Sequence, residues 1–510
     1  MGRLGRDVIR RKLSRRLQIC LDEEMCVGIA AIAILQSGNS APSNVFVDYP
    51  DEGIGSQIGS EYHLPLWTLE TLTNELLSNP KQSPLRKQLR HDLYANYRAL
   101  ASLVMKLENA EDGIFLAKHD VFTEMHRIGQ RQFPWQRGWL NGPALYRALA
   151  MYGSGQAATY FEREAGISIS EFVLIGMWLG GALSRTGKAN RDTDLSIVGV
   201  SADQLNAALT RLAISHERAR SQARRMRERK MHTAYKPSIL RDYPIIAFGR
   251  QGERLRAPLP DLIGCRITSG LYLDVVGGGP KVWKHIGDAF ETYCVEYLQA
   301  MLSPLHVTGE VEYGPRKARF RSPDVLVSQD DNILFVAECK AKRMTLEARF
   351  ADDPVAEAAT GYEEIAKGIF QIWRFFSHAR RGLTSGPNVQ HDCIGVVLTV
   401  DPWLTMARNQ EKEVYGIAHR LADEAGEIEE QDRRQIAVCL IDDVEYALQH
   451  GTADSFLSAC KELTSGDKRG WILSVAHVAD QLGNRAFPFQ DRIGDLLPWW
   501  NDLDGRTVSA

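Results

Sequence analysis

At 510 residues, with 44% hydrophobic and 25% charged residues, the chain has length for two to four domains and enough apolar content to fill their cores. Its formal charge of −3 excludes no class of partner, because a local basic face is enough to hold a polyanion. Eight cysteines, at 20, 26, 265, 294, 339, 393, 439 and 460, contain no CxxC pair, which suits a reducing cytoplasm and argues against a zinc ribbon or a disulfide framework.

The arginine-rich start, "MGRLGRDVIRRKLSRRLQIC", lacks the apolar segment and cleavage site of a secretory signal. Leu4, Val8, Leu13 and Leu17 recur at helical spacing and predict a basic amphipathic helix resting on protein or nucleic acid. The longest apolar runs, "CVGIAAIAIL" and "FVLIGMWLGGAL", stop short of the roughly 20 residues a membrane helix needs, so no membrane span is expected.

Residues 1–275 predict a large, mainly α-helical domain for recognition, regulation or assembly, broken by the loop "QSGNSAPSNVFVDYPDEGIGSQIG". Ser168 with Glu171, and Ser201 with Gln204, have the spacing of capping boxes that open helices. The turns before them resemble that of a helix-turn-helix, but Glu162 and Leu195 stand where a small residue is usual, which favours ordinary packing. His119 and His126, seven apart, read as structural histidines because no third zinc ligand accompanies them. Phe133, Trp135, Arg137 and Trp139 could stack on bases, though local core packing is the expectation. "GGALSRTGKANRDTDLS" resembles a nucleotidyltransferase signature, yet the Ser168 box would run a helix through its glycines. Asp192 and Asp194 are therefore read as loop and cap residues. Residues 240–280, with their prolines, glycines and short β-branched runs, read as a bridge.

From residue 281 the pattern becomes helix, strand, strand, strand, helix, strand, followed by a charged helix and one more strand running into a helix. This predicts an α/β domain over 280–450 with a mixed sheet, and a helical C-terminal extension over 451–510. Within it lies "SPDVLVSQDDNILFVAECKAK". Alternation along a strand projects Glu338 and Lys340 to one face. A three-residue hairpin loop, Asp330 to Asn332, would put Asp324 directly across from Glu338, and a two-residue loop would shift the pairing by one. Two carboxylates that close repel unless a cation sits between them, and Mg²⁺ satisfies both while keeping waters and a phosphate oxygen. A lysine beside a metal-bound water can orient the nucleophile and offset charge on a phosphate. Pro323 suits the mouth of an edge strand, where its missing N–H costs nothing.

This stretch resembles the active-site hairpin of the PD-(D/E)xK nuclease superfamily, the restriction-endonuclease-like fold, with Pro323 and Asp324 as the leading pair and Glu338, Cys339 and Lys340 as the ExK. "GDAFETYCVEYL" is similar to the helix many members place first, and the element order is the family's αβββαβ. The resemblance implies Asp324, Glu338 and the backbone carbonyl of Cys339 as metal ligands, Lys340 as the catalytic lysine and Glu291 as a further acidic catalytic and metal-binding residue. It also nominates Gln371, although Phe375 stands where related nucleases often carry a tyrosine. It implies Mg²⁺ as cofactor, with Mn²⁺ substituting, and double-stranded DNA as substrate. Arg316, Lys317, Arg319 and Arg321 lead into the site and are expected to hold the DNA backbone. The pairing of this core with a large helical domain is similar to bacterial restriction or anti-phage defence effectors, acting as a homodimer and with a second defence protein as a candidate partner. A repair or recombination nuclease, an inactive DNA-binding scaffold and the nucleotidyltransferase are the alternatives.

Overall fold

Helix-forming sequence dominates, and in the computed structural model, which describes residues 3–39, 46–82, 88–119, 121–317, 319–404, 408–477 and 484–501, the chain is mostly helical with mixed sheets. It divides into two units. One comprises Met1–Asp120, Arg131–Asn141 and Ala158–Gly277, the other Val121–Gln130, Gly142–Ala157 and Gly278–Ala510. The chain therefore crosses between units several times before residue 278, where sequence composition pointed to one change of domain. Among the described residues no single helix is long and apolar enough to cross a membrane.

In the first unit, α1 (Arg3–Leu17) buries Ile9, Leu13 and Leu17, one residue every four, and leaves Leu4 and Val8 exposed. The expected stripe is thus half right. At 100° per residue, Leu4 and Val8 fall well over 90° from the Ile9–Leu13–Leu17 line. The run "CVGIAAIAIL" lies in α2 (Asp22–Gln36), which is buried on nearly every side, as an all-round apolar helix must be. Helices α3 (Leu66–Ser78) and α4 (Tyr94–Phe115) complete this core with α1. His119 follows the end of α4 and stacks on Phe115, while His126 belongs to the separate helix Val121–Arg137, so the two share no helix face. Trp135 is buried and donates from Nε1 to Glu70 at 3.0 Å, with Trp139 edge-on to it, which places both rings in the core.

Both capping boxes form. Ser168 opens α5 (Ile169–Thr186) and Ser201 opens α6 (Ala202–Leu212). Gly180 and Gly181 lie inside α5, and Asp194 accepts a hydrogen bond from the Ser196 amide at 2.9 Å; this is a loop contact two residues on rather than the helix cap expected, since Leu195 takes the cap position of the short turn that follows. A four-stranded sheet was not anticipated. Its order is β1 (Lys188–Asn190), β4 (Arg254–Arg256), β3 (Ile245–Phe248), β2 (Ala213–Ser215), with β2 and β3 parallel and the other pairs antiparallel. Two of these strands come from the stretch read as a bridge. Residues 240–277 are integral to this unit, with Ile245 and Ile246 fully buried; a four-residue strand buried on both faces has no alternation for a sequence pattern to reveal. After β2 the chain enters α7 (His216–Arg227), the arginine-rich helix.

The second unit is built on a five-stranded mixed sheet. Helix α8 (Pro280–Met301) precedes β5 (His306–Gly309), and a small ribbon of β6 (Glu312–Tyr313) and β7 (Phe320–Arg321) leads to β8 (Val325–Gln329) and β9 (Asn332–Lys340). Helix α9 (Ala359–Arg380) returns the chain to β10 (Asn388–Thr399), and α10 (Arg408–Ala425) to β11 (Ile436–Leu440). The order is β11, β10, β9, β8, β5, parallel from β9 to β11 and antiparallel from β9 to β5. Helix α8 packs against β5 and β9, and α9 against β9 and β10 through a core that includes Ile369, Ile372, Trp373 and Phe376. Beyond α11 (Ile441–Gln449), α12 (Ala453–Ser465) packs on β10 and β11, so this part of the expected C-terminal extension belongs to the same unit.

Candidate active site

The β8–β9 hairpin turns on two residues. Asp330 and Asp331 both have positive φ, 47° and 61°, and Gln329 pairs with Asn332, the geometry that suits the twist of a tight hairpin. A two-residue loop by itself would slip Asp324 past Glu338. The slip is undone by a bulge: Ser328 pairs with Ile333 but Val327 pairs with Phe335, so Leu334 is an extra residue in β9. From there Val325 faces Ala337, and extending the register by one residue sets Asp324 opposite Glu338. Asp324 Oδ2 accepts the Cys339 amide at 2.7 Å, which ties the two strands together at this level. Pro323 does not border an edge strand, since β8 is flanked by β5 and β9. It precedes the ladder, where no strand partner needs its N–H.

Glu338 and Lys340 project from β9 toward α9. Lys340 Nζ donates to Glu338 Oε1 at 2.8 Å and to Gln371 Oε1 at 3.0 Å. Gly368, one turn before Gln371, allows this approach: a Cβ there would lie 3.2 Å from Lys340 Cε and Val397 Cγ2 and 3.4 Å from Glu338 Cγ. Gly368→Ala is accordingly expected to push Lys340 off its two acceptors, costing about 1–2 kcal/mol of stability and roughly tenfold or more in any activity that uses the lysine. Thermal melts and turnover of the variant check both. Phe375, which stands where a tyrosine was expected, is buried edge-on to Tyr313.

Burial makes these charges costly. It lifts Glu338 to about 7, with Lys340 opposing and Asp324 adding to the rise. It raises Asp324 as well, against the Cys339 amide and Lys340. Desolvation would lower Lys340, but the carboxylates of Glu338, Asp324 and Glu364 together outweigh it and the lysine is held above its usual range. Glu291 reaches the site from α8 and is lifted to about 7 by burial, then by the charges of Asp324 and Glu310. Glu310 was missed by sequence reasoning. Gly309 faces Val325 across β5 and β8, so the next pair is Glu310 with Asp324, and three carboxylates come level across three strands. The signal was present in "VTGEVEYG", but only the strand register discloses it. Asp324 raises Glu310 too, after burial and against Arg321.

No three His, Cys, Asp or Glu side chains among the described residues converge closely enough to hold a metal ion by themselves. Asp324 and Glu338 nevertheless offer two carboxylates, the Cys339 carbonyl adds a third oxygen, and Glu338 Oε2 is buried with no well-aligned donor among the described residues. That sparse, hard-oxygen set suits Mg²⁺, which keeps several waters of its own.

The basic segment "RKARFR" forms the end of the β6–β7 ribbon. Arg316, Lys317 and Arg319 are exposed in and beside its turn, whereas Arg321 is paired with Glu310 at 3.2 Å; Ala318 lies outside the described residues. Tyr313 anchors the ribbon: it is buried and hydrogen-bonds His378 Nδ1 of α9 at 2.8 Å, and His378 Nε2 meets Glu427 at 3.1 Å. No protein-family model, curated protein or solved structure matches the chain.

A buried ammonium, neutralised by Glu338 and positioned by an amide, stands beside Asp324 and Glu291, which have no ion-pair partner of their own among the described residues. Such a site favours a divalent cation and a phosphate, and repels an anion arriving alone.

Proposed function

We propose that residues 280–450 form a restriction-endonuclease-like core of the PD-(D/E)xK kind, and that the protein is a Mg²⁺-dependent endonuclease of DNA. The observation that carries this reading is the level placement of Asp324 against Glu338, with Lys340 held between Glu338 and Gln371 and Glu338 Oε2 without a well-aligned donor among the described residues. Bound to Asp324, Glu338 and the Cys339 carbonyl, Mg²⁺ would lower the pKa of a water and take a phosphate oxygen. Lys340 orients the attacking water and offsets charge that grows on the phosphate. Gln371 fixes the lysine, and Glu291 completes the acidic set from α8.

Arg316, Lys317 and Arg319 hold the backbone that approaches the site, and Arg321 is released from Glu310 when a phosphate competes for it. One such site cuts one strand, so cutting both calls for a homodimer or a second nick. Restriction or anti-phage defence is the setting this architecture resembles. Supercoiled plasmid incubated with Mg²⁺ should be nicked or linearised, and the reading is abandoned if neither Mg²⁺ nor Mn²⁺ supports cleavage of linear, circular, branched or modified DNA. Reversing Arg316, Lys317 and Arg319 to glutamate should weaken DNA binding about tenfold or more and flatten its salt dependence, leaving the melting temperature unchanged. Fluorescence anisotropy across a salt series measures this.

A further inference from the structure

The first unit carries a second concave site that owes nothing to the carboxylates. A cavity of about 560 Å³ opens beside the carboxyl ends of the parallel strands β2 and β3, where Ser215 stands level with Ala247. That volume lies in the range of small-molecule sites, roughly 300–1,000 Å³. Three arginines line it, Arg191, Arg218 and Arg250, and all three are exposed. None has a carboxylate partner among the described residues. Arg191 is instead oriented by a neutral acceptor, Asn206 Oδ1, at 3.1 and 3.2 Å. Glu217 is the single carboxylate in the lining, so the cavity keeps an excess of positive charge.

These three differ from the arginines that tie the unit together. Arginines that serve structure there are paired: Arg220 with Asp22, Arg241 with Glu70, Arg254 with Glu23 and Arg266 with Asp274. Three exposed guanidinium groups around one hollow give it a positive potential that an anion would complete. Arg250 sits in the loop from Gly249 to Gly252, whose glycines take φ of +95° and +69° and let the main chain turn tightly along the cavity. Leu209 and Ala247 add an apolar side.

We propose that this cavity binds a small phosphate-bearing anion of nucleotide size. Guanidinium forks match phosphate oxygens two at a time, and the apolar side accepts a base or ribose face. The volume suits one compact ligand rather than an extended strand. Such a ligand would occupy the helical unit while leaving the carboxylate site free, which makes it a candidate signal to which the protein responds.

Calorimetric titration of the full chain with ATP, and separately with inorganic pyrophosphate, tests the proposal. The titrations use the Asp324→Asn variant, so that nucleotide-bound metal at the carboxylates does not contribute and the outcome is independent of the nuclease reading. ATP is expected to bind in the micromolar range, and the double variant Arg218→Glu, Arg250→Glu to weaken it roughly 30-fold or more at unchanged melting temperature. The proposal is overturned if neither anion binds below ~1 mM, or if the double variant binds ATP as tightly as its parent. It is equally overturned if a short single-stranded oligonucleotide binds more tightly than ATP and loses affinity in the same variant, because the cavity then belongs to a nucleic-acid path.

Discussion

Replacing Asp324 with asparagine is expected to lower Mg²⁺-dependent plasmid cleavage by about a thousandfold or more, and at the same time to raise the melting temperature of the metal-free protein at pH 8. The two effects have one origin. Asp324 is level with Glu338 and Glu310 and raises the pKa of Glu338, Glu291 and Glu310. At pH 8 these carboxylates are ionised and close, which is the condition that attracts a divalent cation and the condition that destabilises the fold without one. Asparagine keeps an oxygen to accept the Cys339 amide, so the hairpin stays tied while a charge is removed. The gain should be roughly 1 kcal/mol, a shift of a few degrees in a thermal melt. Wild-type cleavage by the variant would remove Asp324 from the active site, and a large fall in melting temperature would mean that its role is structural.

Magnesium should stabilise the protein strongly at high pH and little at low pH. Glu338 rises from 4.5 in the unfolded chain to about 7 in the fold, and Glu291 likewise. A carboxylate raised on folding stabilises fully below its unfolded value and loses that contribution as the pH climbs through its folded value. The metal-free protein therefore weakens between about pH 4.5 and 7.5, with Glu338 alone accounting for something on the order of 3 kcal/mol at 1.4 kcal/mol per unit. Glu291 is only partly buried and adds less. A cation that binds both groups in their ionised form reverses the loss, so its stabilisation grows over the same window. Melts in millimolar Mg²⁺ and in EDTA across the window measure the difference. A Mg²⁺ increment that is the same at every pH, or one that persists in Glu338→Gln, would show that the ion acts elsewhere.

Local chemistry was legible in the chain. The capping boxes at Ser168 and Ser201 and the amphipathic α9 follow from spacing alone, because a cap or a helix face is decided by residues within four positions of one another. Less was legible where burial on both faces erases periodicity. Strand β3 was read as part of a bridge for that reason, and α1 was given the wrong half of its stripe because two apolar residues on its exposed side imitate a longer one.

At the candidate site the division is sharper. The sequence by itself determined that Glu338 and Lys340 share a face, that Asp324 opens the neighbouring strand and that an acidic turn joins them. Tertiary structure decided whether they meet. The turn took two residues, the pairing that misaligns the carboxylates, and Leu334 bulged to restore it. A bulge is settled by how both faces of β9 pack against α8, α9 and the adjoining strands, and no residue in the hairpin announces it. Glu310 joined the row for the same reason: its partner across β8 is fixed by a register between strands about 15 residues apart, which only the folded sheet can set.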